Sequence, residues 1–412
     1  MSPISIASTL PDGWNEIRFR YIASTSKGRL PAEGDDDVAD SDSLPYLSME
    51  YLRGDSDAST YVSSKGMVTA DDQDVLLLWD GSNAGEFLRA KHGAVSSTAA
   101  LVIPIQFDRK FLFWLCKTAE PVLKKFTNGM GIPHVDGEFL KNLVLPHPKE
   151  VKTQARIANY LDRETARIDG LIAEKERMLA LLEEKRAALI SRVVTRGLDP
   201  DAPLKPSEQE WLGEIPAHWL VERAKNLFTV RDERSDDGSE ELLTVSHITG
   251  VTSRSEKDVY MFEADDKAGY KRCMPGDLAI NTLWAWMGAM GISPLAGIVS
   301  PDYHVYTSKG ELLPEYVDLL CRSRPFVAEV SRWSKGVWSS RLRLYPENFF
   351  EIRLPVPPHD EQAAIVRAVE ADQRKANALR ESLQLSITLA QERRAALISA
   401  AVTGQIPLDD MA

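Results

Sequence analysis

Apolar positions along this chain of 412 residues follow two different periods. Between residues 154 and 194, Ile157, Leu161, Ile168, Leu171, Met178, Leu182, Leu189 and Val193 recur at intervals of three, four or seven. That is the stripe of a helix that packs against another helix. Ile365, Val369, Ala376, Leu379, Ser386, Ala390, Leu397 and Ala401 carry the same spacing with smaller side chains. Elsewhere the apolar residues come in short runs bounded by Gly, Asp and Ser: PYLSMEYL, DVLLLW, ALVIPIQF, LLTVSHI, DLAINTLW and HVYTS. These runs predict strands, and shorter helices are expected near 109–125 and 314–330. A helix of about 41 residues is on the order of 60 Å long, and no domain of this size offers so long a groove. The economical partner for each long helix is the other one, in an antiparallel coiled coil.

The two stripes belong to a repeat. Sliding the chain by 208 residues aligns 154–195 with 362–403 without a gap, and 14 of the 42 pairs are identical, including RAALIS at 186–191 and 394–399. Weaker matches continue upstream: LPDGW with IPAHW, the segment from Asp74 with that from Asp277, Cys116 with Cys321, and LVLPHP with IRLPVP. The fold class expected is α+β, with two tandem mixed α/β domains, two long helices and a pseudo-twofold internal repeat. The boundaries read as a first domain over 1–150, a helix over 151–196, a linker over 197–214 marked by Gly197, Pro200, Pro203 and Pro206, a second domain over 215–358, a helix over 359–404 and a tail over 405–412.

Composition narrows the chemistry. The formal charge is −12, an unpromising total for binding phosphates. Its distribution is uneven, because residues 321–343 hold Arg322, Arg324, Arg332, Lys335, Arg341 and Arg343 against Glu329 alone. Three cysteines without CxxC spacing predict buried free thiols. No apolar run approaches the roughly 18 residues that span a bilayer, and the N-terminus lacks the character of a signal peptide, so a cytoplasmic protein is expected. The sequence has no GxxxxGK[ST], HExxH, GxSxG or Asn-Pro-Pro-aromatic motif, and its histidines are dispersed. A catalyst is therefore not expected.

Two phrases carry a resemblance. The linker GLDPDAPLKPSEQEWLGEIPAHW (197–219), with its Gly-Leu-Asp-Pro start, Trp-Leu-Gly-Glu-Ile-Pro core and closing His-Trp, resembles specificity subunits of type I restriction-modification systems. So does LPVPPHDEQAAI (354–365), opening a long helix; the first copy, LPHPKEVKTQARI, has Thr153 where the second has Glu361. The resemblance covers the whole chain and implies a non-catalytic subunit whose two target-recognition domains read the halves of a bipartite sequence in double-stranded DNA. It implies helices that set the spacing, two methyltransferase subunits docked on them and two restriction/translocase subunits in the full complex. S-adenosylmethionine, ATP and Mg would belong to those partners, with no cofactor bound by this subunit. Helix positions expected to face partners are Gln154, Ile157, Arg186, Glu361, Gln362, Ile365 and Arg394.

Within that frame two segments in each domain are candidates for DNA contact. One is the Gly-bearing loop before the helix: Lys124, Lys125, Arg332 and Lys335 for phosphates, with Asn128, Ser339, Ser340, Arg341 and Arg343 for base edges or nearby phosphates. The other is the loop after the Asp-led strand: WDGSNAGEF (79–87), with Ser82 and Asn83, and NTLWAWMGAM (281–290). Trp284, Trp286 and Met287 are more often core than contact. Because the chain is acidic, weak DNA binding in isolation is expected. The alternative is a coiled-coil scaffold joining two protein-binding domains without DNA contact. It explains the acidity but neither family phrase.

Overall fold

The computed structural model describes residues 10–31, 43–127, 133–256, 266–336 and 342–411. The chain divides into two compact units, Met1–Lys175 with Leu385–Ala412, and Glu176–Gln384. Two helices are long, Val151–Arg196 and His359–Val402, and each is shared between the units. One globular region in each unit is therefore packed with the start of one long helix and the end of the other.

In the first unit, Ala23–Lys27, Ala99–Pro104, Val75–Leu78 and Phe87–Arg89 form an antiparallel sheet in that spatial order. Val75 and Leu77 alternate with Leu76 and Leu78, so the strand feeds two cores, one on each face. The first core is closed by the helix Arg109–Lys125, whose Phe111, Leu112, Leu115, Cys116, Ala119 and Leu123 face inward. Asp108 caps that helix by accepting from the Phe111 N–H at 2.9 Å. Ile157, Ala158 and Leu161 join the same core from the start of one long helix, and Ile398, Ala401 and Val402 join it from the end of the other. Gly404, at φ +76°, lets the chain turn against Trp14; a Cβ there would lie 2.6 Å from the indole.

The second unit has a sheet of the same order, Phe228–Val230, Tyr303–Ser308, Leu278–Asn281 and Met290–Ile292, again antiparallel throughout. Its main core takes Ile190, Val193 and Val194 from the end of the first long helix and Ile365 and Val369 from the start of the second. The linker belongs to this core. Leu204–Pro206 pairs with Glu214–Pro216, and Leu212, Ile215 and Trp219 are buried. The family phrase Trp-Leu-Gly-Glu-Ile-Pro…His-Trp is thus a packing element rather than a spacer.

Three local expectations change. PYLSMEYL is not one strand: the strand ends at Leu47, and Ser48 caps a short helix, Met49–Arg53, by accepting from the Tyr51 N–H. The helix expected over 314–330 is two, Pro314–Arg322 and Arg324–Trp333: Ser323 between them is extended, and Pro325, which has no N–H to donate to the preceding turn, sits in the first turn of the second helix. Of the expected long-helix stripes, Leu171, Met178 and Leu379 are exposed, while Leu383 and Ile387 are buried. Positions counted in sevens rotate by about 20° per heptad on a straight helix, so an exact heptad count drifts off the buried face.

Ion pairs join the helix segments inside each unit. In the first, Arg394 forks onto Asp169 at 2.7 and 3.1 Å. In the second, Glu183 pairs with Arg380, and Lys185 lies 3.6 Å from Asp372.

Cys116, Cys273 and Cys321 are buried free thiols, and burial pushes the Cys273 thiol up to about 11. His304 is set in the strand beside Lys271, whose Nζ donates to the Tyr303 carbonyl at 2.6 Å. Burial first, and the Lys271 charge second, push the imidazole down to about 4 from an ordinary 6.5. A folded value below the unfolded one means that the stability held by neutral His304 is complete above pH 6.5 and is lost as pH falls toward 4. Between pH 7 and 5 the melting temperature of the wild type should fall by about 3 °C more than that of His304→Gln. Parallel pH profiles for the two proteins would contradict this assignment.

Candidate nucleic-acid interface

In the first unit the fold brings the two candidate segments side by side. The loop after Leu78 is pinned where Gly81 donates to Pro133 at 2.9 Å and Val135 donates to Trp79 at 2.9 Å. Its other end lies on the helix terminus: Gly85 has φ +90°, and a Cβ there would sit 3.4 Å from the Lys124 side chain. Lys124 and Lys125 form the exposed last turn, next to Phe126, which stacks on Phe139 with centroids 4.5 Å apart. Ser82 is exposed and Asn83 half-buried, with the Asn83 carbonyl accepting from Glu86 N–H. Lys27, paired with Asp80 at 2.7 Å, and Arg53, paired with Glu86 at 3.0 Å, flank the same loop. Nothing in the local sequence signals these two cations, which come from a distant strand and a distant short helix.

The second unit repeats the juxtaposition with different chemistry. The Leu344 N–H donates to the Thr282 carbonyl at 3.2 Å, and Lys335 and Arg343 exchange two backbone hydrogen bonds of 2.9 Å. The loop between them and the sheet turns through Ala285–Met287 and closes at Gly288, whose φ is +92°. Trp284 and Met287 are exposed, 48% and 37% respectively, so they are not core residues as their type suggested. A loop this short, with Gly288 packed against Val327, leaves no interior for them.

The basic stretch is less uniform than its sequence. Arg332 forks onto Glu329 at 2.6 and 2.8 Å, and Trp333 donates to the same carboxylate at 2.7 Å. Glu329 is buried, so Arg332 neutralises it, while the Arg332 side chain itself stays 59% exposed. Arg322 is drawn inward, 3.2 Å from Asp318. Arg324, Arg332, Lys335 and Arg343 are the exposed cations of this face among the described residues. Asn128, Ser339, Ser340 and Arg341 lie outside the described residues.

The helix positions expected to dock partners mostly face inward. Gln154 and Gln362 are buried: Gln154 accepts from Asp108 N–H and donates to the Pro148 carbonyl, and Gln362 does the same work toward Leu313, Glu311 and Pro357. Ile157 and Ile365 are fully buried in the cores. Side chains without exposed surface cannot meet a partner, so these four hold each helix to its own globular region. Glu361 accepts from His218 at 2.7 Å and from the Trp219 indole at 2.9 Å, joining the two family phrases directly. Arg394 is committed to Asp169, and Arg186 is half-buried.

These features define a tandem mixed α/β chain with two comparable loop faces, each rimmed by cations. Residues 11–178 match the family described as Type I restriction modification DNA specificity domain. The chain is 33% identical over 225 residues to the Type I restriction enzyme MjaVIII specificity subunit of Methanocaldococcus jannaschii. That match covers 54% of this chain and 51% of the relative, so it spans about half of the curated relative's length. A chain solved in work on complex assembly and conformational transition of the type I R-M system superposes over 97% of this chain and 100% of its own, with TM-score 0.71 and 15% identity. The HsdS subunit from Thermoanaerobacter tengcongensis superposes over 96% and 98%, with TM-score 0.51 and 15% identity. At such identity these two structures establish the fold.

Proposed function

We propose that the whole chain is the DNA sequence-specificity subunit of a type I restriction-modification complex, with each globular region reading one half of a bipartite duplex sequence. The observation that carries this reading is the pair of loops, 79–87 and 281–290, set at the same station of identically ordered sheets yet chemically unlike. A shared frame with divergent loops suits a protein that must read two different half-sites. In this reading the internal repeat is real, and the helices form an antiparallel coiled coil that fixes the half-site spacing. The ion pairs support it, since rising numbers in one helix, 169 then 183, meet falling numbers, 394 then 380, in the other.

Partner subunits supply the chemistry. Two methyltransferase subunits carrying S-adenosylmethionine and two ATP- and Mg-dependent translocating subunits complete the complex in the cytoplasm, and this chain does no catalysis. Leu171, Met178 and Leu181 on the first helix and Leu379, Leu385 and Leu389 on the second are exposed and offer apolar contact to the methyltransferases.

The test is a gel-shift series with the methyltransferase, on duplex carrying the target found by methylome sequencing with and without this gene. The expected result is a split adenine-methylated motif that disappears with the gene. Lys124→Glu with Lys125→Glu should weaken binding at least tenfold at all sequences and flatten the log–log salt slope by about 2. An unchanged methylome together with no DNA binding in complex would favour the scaffold reading instead.

A further inference from the structure

The loop at residues 283–289, Leu-Trp-Ala-Trp-Met-Gly-Ala, has no polar side-chain group except two indole N–H donors. One of them is spent internally, because the Trp286 indole donates to the Leu283 carbonyl at 3.1 Å. The polar residues that precede the loop are also spent. Asn281 donates to Val245 and Tyr303 and accepts from Leu283, and Thr282 donates to the Asp302 carbonyl. What the loop presents to solvent is therefore the Trp284 ring, lying near-parallel to Trp286 at 6.3 Å and 21°, and the Met287 side chain.

Its backbone is held in place. Met287 donates to Trp284 at 3.0 Å, Gly288 to Ala285 at 2.7 Å and Ala289 to Trp284 at 3.1 Å. Gly288 is pinned on Val327, where a Cβ would meet the valine at 3.1 Å. An exposed aromatic and a thioether on a rigid turn, beside an open recess of about 570 Å³ lined by His247, Trp286, Met287, Arg324, Val327 and Ser331, form a surface that favours an apolar ligand group. The rim states which kind of molecule carries that group. Arg322 and exposed Arg324 line the recess, and exposed Lys335 and Arg343 lie on the segment that Leu344 ties to Thr282 at the base of the loop; on a chain whose net charge is −12, these cations complement a phosphate backbone.

In the major groove the base edges offer donors, acceptors and one apolar group, the C5-methyl of thymine. A loop almost without hydrogen-bonding side chains can gain little from the polar edges and can gain from the methyl. We propose that Trp284 and Met287 determine specificity in the second globular region by packing on the C5-methyl group of a thymine in its half-site. The first region, with Ser82 and Asn83 in the matching loop, reads through hydrogen bonds instead. This inference rests on the DNA-reading function proposed above and assigns the chemistry of one half-site.

The test selects binding sequences with the full-length chain in complex with its methyltransferase subunits from two random duplex libraries, one with thymine and one with deoxyuracil in its place. Deoxyuracil keeps every hydrogen-bonding group and lacks only the methyl. The expected result is a split motif from the thymine library with a thymine required in one half. Deoxyuracil at that one position should weaken binding about fourfold, the value of one buried methyl-sized group. Trp284→Ala and Met287→Ala, at exposed positions, should weaken binding to the thymine duplex and remove the difference between the two bases. Equal binding of the thymine and deoxyuracil duplexes, or a Trp284-dependent half-site without thymine, would overturn the inference. It would also be overturned if the loop wedged between base steps from the minor groove, since that contact is indifferent to the methyl. Enrichment from neither library would instead count against the DNA-reading function itself.

Discussion

Trp219→Ala should destabilise the second unit by about 4 kcal/mol, the usual cost of emptying a fully buried tryptophan site. The residue closes the linker, is completely buried, and packs with Ile215, Val193 and Ile365 in one core. Its indole also donates to Glu361, which takes a second hydrogen bond from His218. Removing the ring therefore loses packing and loosens the carboxylate that joins the linker to the start of the second long helix. Urea unfolding followed by fluorescence of the remaining tryptophans measures the effect. A loss below about 1 kcal/mol would mean that the linker phrase is not a structural element.

Gln362→Ala should cost about 3 kcal/mol, and Gln154→Ala about 2 kcal/mol, because each leaves main-chain groups of the helix–domain joint without partners. Gln362 accepts from the Leu313 N–H at 2.7 Å and donates to the Glu311 and Pro357 carbonyls at 3.0 and 2.8 Å. Gln154 makes two such bonds, of 3.1 and 3.2 Å. The discriminating variant is Gln362→Glu, which keeps shape and acceptor but cannot donate to two carbonyls when ionised. It should be at least as damaging as alanine at pH 7. A glutamate variant as stable as the wild type would show that the amide merely fills space.

Much of the architecture was legible before any coordinates. The short β-favouring runs from Asp74 and Asp277 are the central strands of the two sheets, and the uninterrupted periodic stretches are the two long helices. Period and breakers are local properties, so a single chain displays them. The candidate loops 79–87 and 281–290 stand beside parts of the candidate segments 124–134 and 331–343, the first at Lys124 and the second next to Arg343, a proximity that only the fold creates. Individual roles were not legible either. Arg322 and Arg343 are both arginines in one basic stretch, yet one is drawn inward onto Asp318 and the other is exposed. Gln154 and Gln362 stand among charged residues on a helix that reads as surface, yet both are buried.

RAALIS shows the division most plainly. By itself the sequence showed that the same six residues recur at 186–191 and 394–399 within two long periodic stretches, because spacing and identity are properties of one strand of text. Tertiary structure decided what each turn does. Ile190 is buried with Trp219 in the second unit and Ile398 with Phe111 in the first, so each phrase completes the core of the region that its own helix does not follow. Arg394 found an acid at Asp169, whereas the position matching it from Arg186 is Asn377. Burial and pairing depend on which surfaces meet across more than 200 residues of chain, and no local pattern carries that information.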